Sequence, residues 1–364
     1  MDGNNRISNE QIKALLITTV IGVGILSLPS DVAAIMRTGG WVAIVIGGIL
    51  IIPFIIIIDR IFKLYPGKSI FQIGQEVMPP WIFKLILLIL LAYMLFILSY
   101  GIRVFAEVIK AYLLETTPTE VIIITMLIAV SYIARSNIEA IARMAVMIYP
   151  IILGFTIFII LVNLPNTDYT NIYPVFDIDY ARLPKGIMGT IFAYAGYELI
   201  IFVLPLSEDS NGSLMYNLRG LFIVMGVYLI MFFITLSRYG VFQLQREIWP
   251  SIAVVKEVDL PGFFLENLDG IVMAAWVMVV YGSMGPSLYA AGLILSNILN
   301  TRYHNIFIPF FLPIIYIVAL LPSNLVQVYE KMGAILNYIT AVAIFLIPII
   351  IFASAYIKKR RGRT

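Results

Sequence analysis

The chain has 364 residues, 61% of them hydrophobic and 12% charged, with a formal net charge of +3 and a mean hydropathy of +0.98. A soluble domain holds roughly 45–50% apolar and about 25% charged residues, so this composition places the chain in a bilayer. It has no cysteine and one histidine, His304, which excludes disulfides and thiolate chemistry and argues against a histidine metal site or a Ser-His-Asp triad. Neither an enzyme nor a cofactor is expected, and nucleic-acid binding is not expected either.

Apolar runs between polar and Pro/Gly punctuation predict an all-α integral membrane protein with ten candidate spans. In the first, Gln11–Met36, the apolar run Ala14–Leu28 follows Arg6 and Lys13 but lacks an A-x-A site, so it reads as a helix rather than a cleaved leader. Trp41–Ile58, Trp81–Leu114, Glu120–Ala134 and Ala140–Leu164 complete a first set, and Leu183–Leu206, Leu218–Ser237, Leu268–Leu299, Ile306–Leu321 and Gly333–Ile357 a second. The first and sixth spans are broken by Gly22, Gly24 and Pro29 and by Gly196 and Pro205. The third and eighth are long, the fourth and ninth short, and the fifth and tenth carry Pro150 and Pro348. The same order of characters occurs twice in sets of five. An odd number inverts the second set, which predicts a 5+5 inverted repeat of the LeuT-like transporter type. The chain divides accordingly into residues 1–164, an outer loop 165–182, residues 183–357 and a basic tail 358–364. Lys and Arg, above all those of the tail, favour both termini in the cytoplasm. The tail itself reads as a topology anchor against anionic lipid.

Chemistry concentrates at the two interrupted spans. In Ile21-Gly-Val-Gly-Ile-Leu-Ser-Leu-Pro-Ser-Asp31 the paired glycines weaken a helix at mid-span and leave unpaired N–H groups and carbonyls. Such backbone survives at membrane depth only where it lines a cavity, and the positive end of the outer half-helix suits a carboxylate. The corresponding stretch of the second set, Phe192-Ala-Tyr194-Ala-Gly196-Tyr197-Glu198, carries a buried acidic residue expected to face a cavity, meet a ligand ammonium or carry a proton. The candidate ligand-binding residues are Gly22, Val23, Gly24, Ile25, Tyr93, Tyr100, Tyr194, Gly196, Tyr197, Glu198, Tyr281 and Ser283. Tyr93 and Tyr100 are seven apart and share a helix face. Tyr281 and Ser283 open a stretch in which Pro286 frees a carbonyl near Gly282. Arg103 and Glu107, four apart near the outer end of the third span, read as a snorkelling surface pair. The segment Trp249–Gly262 reads either as a helix over a cavity mouth or as an interfacial helix anchored by Trp249.

The stretches Ile7-Ser-Asn-Glu-Gln-Ile12 and Ile21–Ser30, together with Asn171-Ile-Tyr-Pro-Val175, Gly196-Tyr-Glu198 and Phe264-Leu-Glu-Asn-Leu-Asp-Gly270 before Trp276, carry a likeness. In these the chain resembles the B subunits of endospore germinant receptors, a branch of the amino acid/polyamine/organocation permease superfamily, over essentially its whole length. One departure is Asn267, where such families often carry an arginine. The resemblance implies a five-plus-five fold in the inner membrane of a spore, an A-type membrane subunit and a C-type lipoprotein as partners, and a small nutrient as the trigger. By position it implies a ligand site around Gly22, Gly24 and Gly196. A receptor needs differential affinity between conformations but no turnover, whereas a permease would move amino acid with a proton on Glu198. A ligand-gated conduit is a third, weaker reading. The predicted lining suits a small neutral zwitterion better than a dianion, with a sugar as the other option.

Overall fold

Backbone N–H and C=O groups find no water in a bilayer core, so apolar runs of this length close their hydrogen bonds within helices. The structure, a computed structural model, describes residues 6–209, 212–256 and 268–361, and these are helical with short connections. A capping box starts α1 (Asn9–Val20): the Gln11 N–H donates to Ser8 Oγ and the Ser8 N–H donates to Gln11 Oε1, at 3.2 and 2.8 Å. After a break comes α2 (Gly24–Met36), then α3 (Gly40–Leu64), the short α4 (Ile70–Val77), α5 (Pro80–Tyr112), α6 (Thr119–Ala134) and α7 (Ile138–Asn163). The second set opens with α8 (Leu183–Ala193), breaks, and resumes in one tight turn (Tyr197–Leu199) and α9 (Ile200–Val203). It continues through α10 (Ser213–Leu244), α11 (Pro250–Lys256), α12 (Leu268–Ile298) and α13 (Ile308–Leu320). The last span, Leu325–Arg361, contains α14 (Leu325–Gln327), α15 (Gly333–Ala341) and α16 (Ile347–Arg361), separated by π-helical turns at Val328–Met332 and Val342–Leu346.

The order broken, ordinary, long, short, proline-bearing thus recurs in the structure. The long members α5 and α12 have 33 and 31 residues, and the short members α6 and α13 have 16 and 13. Among the described residues six helices are long and apolar enough to cross a membrane, and the pair Leu183–Ala193 with Tyr197–Leu206, bent by 46°, makes a seventh. A count of ten adds the two short helices and separates α2 from α3, which together form one stretch of 41 residues. The chain is therefore a multi-pass membrane protein.

Several boundaries differ from the sequence reading. The second span runs past Ile58 to Leu64, because Asp59 is buried and pairs with Lys63 (2.8 Å) instead of ending the helix. α10 is longer than Leu218–Ser237 and bends at Gly240, whose φ of 64° suits glycine. The amphipathic α4, missed as an element, lies against α16; Lys68 pairs with the Glu76 carboxylate, and both Lys68 and Lys359 lie over the Tyr65 ring. Arg103 is not a snorkelling residue. It is buried, binds Glu107 at 2.8 Å and donates to the Ala319 carbonyl at 3.1 Å, which ties α5 to the end of α13. Phe264–Asn267 and the later half of Trp249–Gly262 lie outside the described residues.

At the centre of the fold α1 packs on α7, α10 and α12, so the first break is surrounded by protein. Side chains such as Ile128, Met147, Leu161 and Ile317 form an exposed apolar exterior suited to lipid.

Candidate functional site

Two glycines create the site. At the first break the Gly22 N–H turns back to the Val20 carbonyl (3.0 Å), and α2 restarts only at Gly24. A Cβ on Gly22 would stand 2.8 Å from Ser283 Oγ. At the second break Gly196 has a φ of 112°, and a Cβ there would lie 2.7 Å from the Thr19 carbonyl oxygen. The two breaks therefore meet backbone to backbone, a closeness that side chains would prevent. The Thr19 hydroxyl adds a 3.3 Å contact to the Gly196 carbonyl. The Tyr228 hydroxyl, from α10, donates at 2.7 Å to the Ala193 carbonyl and lies 3.1 Å from that of Val20. One side chain so serves the carbonyl ends that both breaks leave open.

Glu198 stands at the start of the second half of the sixth span and is 4% exposed. Its Oε2 accepts the Gly196 N–H at 2.7 Å, and its Oε1 accepts the Tyr93 hydroxyl at 2.7 Å. The carboxyl thus caps the half-helix that carries it, on the side where helix ends favour negative charge. No Lys or Arg pairs with it among the described residues.

Between the breaks lies a cavity of about 120 Å³. Its polar wall is Thr19, Gly22, Val23, Gly24, Gly196, Glu198, Ser283 and Ser287, with Tyr100; its apolar wall includes Ile97, Leu98, Phe192, Met284 and Leu336. At about 30 Å³ per water it holds roughly four waters, and a cavity of about 150 Å³ takes up benzene, so it suits one small molecule.

Of the residues singled out from sequence, Gly22, Val23, Gly24, Tyr100, Gly196, Glu198 and Ser283 come together on this cavity. The others sit elsewhere. Tyr93 stands behind Glu198 as its donor. Ile25 is buried, and its carbonyl accepts the Ser251 hydroxyl of α11 at 2.8 Å, so this helix packs onto α2 and is not an interfacial anchor. The Tyr194 hydroxyl donates to the Ile44 carbonyl (2.9 Å) and that of Tyr197 to the Ile344 carbonyl (2.5 Å), which fastens the second break to α3 and to the last span. Tyr281 is half-buried on α12, away from the cavity. Ser287, which the Pro286 stretch offered beside Ser283 as a ligand-binding hydroxyl, also lines the cavity, whereas sequence reasoning missed Thr19, Leu336 and Tyr228. For Tyr228 the only signal was a hydroxyl at mid-span, common to many packing tyrosines.

The family model described as "Spore germination protein" matches residues 6–328. Over nearly full length the chain is similar to spore germination protein YndE of Bacillus subtilis (23% identical, 98% of each chain). Spore germination protein A2 of the same organism is 26% identical over 95% of this chain and 94% of its own. Spore germination protein GerLB of Bacillus cereus is 24% identical over 99% and 97%. Among solved structures the fold is similar to Mhp1, a nucleobase-cation-symport-1 family transporter in a closed conformation (TM-score 0.69, 12% identical, 99% of this chain and 82% of that one). It is also similar to a Na+-coupled sialic acid symporter (TM-score 0.64, 14% identical, 94% and 80%). Its fold is thus that of LeuT-type transporters, and the chain belongs to the spore germination protein family.

Proposed function

We propose that this chain is the nutrient-sensing subunit of a spore germination receptor, and that it binds a small zwitterion, an amino acid by preference, in the cavity between its two helix breaks. The observation that carries this reading is the convergence of both breaks on one small, half-open cavity with a single carboxyl, Glu198, on its wall. The ligand ammonium lies toward Glu198 and the Thr19 carbonyl. Its carboxylate lies toward the N–H groups at the start of α2, where the helix dipole is positive. The volume disfavours a monosaccharide unless the site opens. Binding shifts a conformational equilibrium to the extent that the two states differ in affinity, about 1.4 kcal/mol for each tenfold. The two breaks are the elements through which that shift reaches the helix ends. Partner subunits, a larger membrane protein of A type and a lipoprotein of C type, read it. Both termini are cytoplasmic, and the basic end of α16 rests on anionic lipid headgroups.

The alternative is a proton-coupled amino acid permease, which the position of Glu198 on the cavity wall favours. One pair of measurements separates them: a thermal-shift screen of the purified chain with small amino acids and sugars, then uptake of any hit into proteoliposomes under a proton gradient. Stabilisation without concentrative uptake supports the sensor. Concentrative uptake supports the permease and removes the sensor reading.

A further inference from the structure

A second acidic side chain stands outward of the cavity. Asp31 lies seven residues beyond Gly24 on α2, hence about 10 Å further toward the outer end at about 1.5 Å per residue. An ionisable group inside an apolar span needs a reason to be there, and the usual structural reasons fail for this one. It does not cap α2, whose N-cap position is Val23. No Lys or Arg pairs with it among the described residues. Asp31 is exposed, with the Ser27 hydroxyl beside its carboxyl.

The neighbours of Asp31 are aromatic and hydroxylic. Ser27, one turn earlier, sits beside both Asp31 and the Tyr329 hydroxyl. Tyr100 and Tyr329, both within electrostatic reach of the carboxyl, meet edge to face with ring centroids 6.3 Å apart at 86°. The Trp249 indole N–H donates to the Tyr329 hydroxyl at 2.7 Å. Tyr329 belongs to the π-helical turn Val328–Met332, a local irregularity that tends to accompany functional positions. Tyr100 also lines the cavity below. A carboxyl without a basic partner, with the hydroxyls of Ser27, Tyr100 and Tyr329 near it, has the chemistry of an ammonium site: charge opposite charge, with hydroxyl oxygens as further acceptors. It repels anions and gives nothing to a neutral sugar beyond hydroxyl contacts.

We propose that Asp31, with Tyr100 and Tyr329, is an outer recognition site for the ammonium group of a small ligand, distinct from the cavity at Glu198. Passage from this site inward rests on the cavity being a ligand site; binding at Asp31 does not. Because Trp249 is bonded to Tyr329, its fluorescence reports occupancy.

The test titrates methylammonium chloride, against sodium chloride at equal ionic strength, into the full chain in phosphatidylcholine nanodiscs. The Trp249→Phe variant supplies the background from the other tryptophans. A saturable, methylammonium-specific signal is expected that is absent in Trp249→Phe. In Asp31→Asn its midpoint weakens by about two- to fivefold, as loss of an exposed charge contact gives, while Asp31→Glu keeps it closer to wild type. Glu198→Gln leaves the midpoint unchanged, so failure at the cavity is told apart from failure here. No saturable signal in the wild type, an unchanged midpoint in Asp31→Asn, or loss in Glu198→Gln instead, overturns the proposal.

Discussion

Gly196→Ala is the sharpest perturbation of the crossing. The residue has a φ of 112°, where an L side chain is strained, and the new Cβ would stand 2.7 Å from the Thr19 oxygen, 2.9 Å from the Thr19 carbonyl carbon and 3.2 Å from the Val20 nitrogen. All three are backbone atoms of the first break, so no rotamer change relieves the contact. A strained φ costs about 1–3 kcal/mol and overpacking typically about 1–3 more, so a loss of about 2–6 kcal/mol is expected. Gly22→Ala is the control, because its Cβ meets a side chain, Ser283, at 2.8 Å to Oγ and 3.1 Å to Cβ. Its loss, about 1–3 kcal/mol, is recovered in large part by Ser283→Gly, whereas no side-chain substitution recovers Gly196→Ala. Denaturant unfolding in detergent micelles, followed by circular dichroism, measures both. A Gly196→Ala variant within about 0.5 kcal/mol of wild type, the range of ordinary surface substitutions, refutes the close apposition of the two breaks.

Tyr228→Phe removes the hydroxyl that serves the Val20 and Ala193 carbonyls; a loss of about 1–3 kcal/mol is expected from the unpaired buried acceptors, and unfolding at wild-type denaturant contradicts it. Tyr93→Phe takes one of the two donors from Glu198 and lowers stability by a similar amount, but a Tyr93→Phe/Glu198→Gln double variant loses less than the sum of the singles, because the two act on one contact. His304, in the turn between α12 and α13, packs edge-on to Tyr289 with centroids 4.6 Å apart, and burial holds its imidazole below the usual 6.5. A lowered folded value means that the unfolded chain binds the proton first. The contribution is therefore full above the usual histidine range and is lost as pH falls through the lowered value. Melting temperatures recorded from about pH 8 to about pH 5 should decline more in wild type than in His304→Gln; parallel profiles would falsify this.

The architecture was legible because each of its causes is local. Gly22, Gly24 and Gly196 mark the breaks, length separates α5 from α6 and α12 from α13, and Pro150 and Pro348 repeat at corresponding places. The part of the site made of backbone was legible for the same reason, since a glycine in an apolar span says where the chain opens. What lay hidden depended on which way side chains point across spans. Tyr194, Tyr197 and Tyr228 look alike in the sequence, yet two fasten the second break to its neighbours and the third joins both breaks. Arg103 and Glu107 share a helix face as their spacing requires, but only packing shows that α13 covers them and supplies the Ala319 carbonyl. The C-terminal limit of the second span was misjudged because charged residues usually end a span, while Asp59 here is buried with Lys63 as its partner.

The most direct test of the account is equilibrium binding of the strongest thermal-shift hit, drawn from a panel of small amino acids and monosaccharides, to the wild-type chain and to Glu198→Gln in nanodiscs. The account predicts one saturable site in the wild type for a small amino acid, weakened by about thirtyfold or more in Glu198→Gln, which corresponds to roughly 2 kcal/mol for removing the charged partner of a buried ammonium, with the variant still folded. Equal affinity in the two chains, or saturable binding by monosaccharides alone, would contradict it.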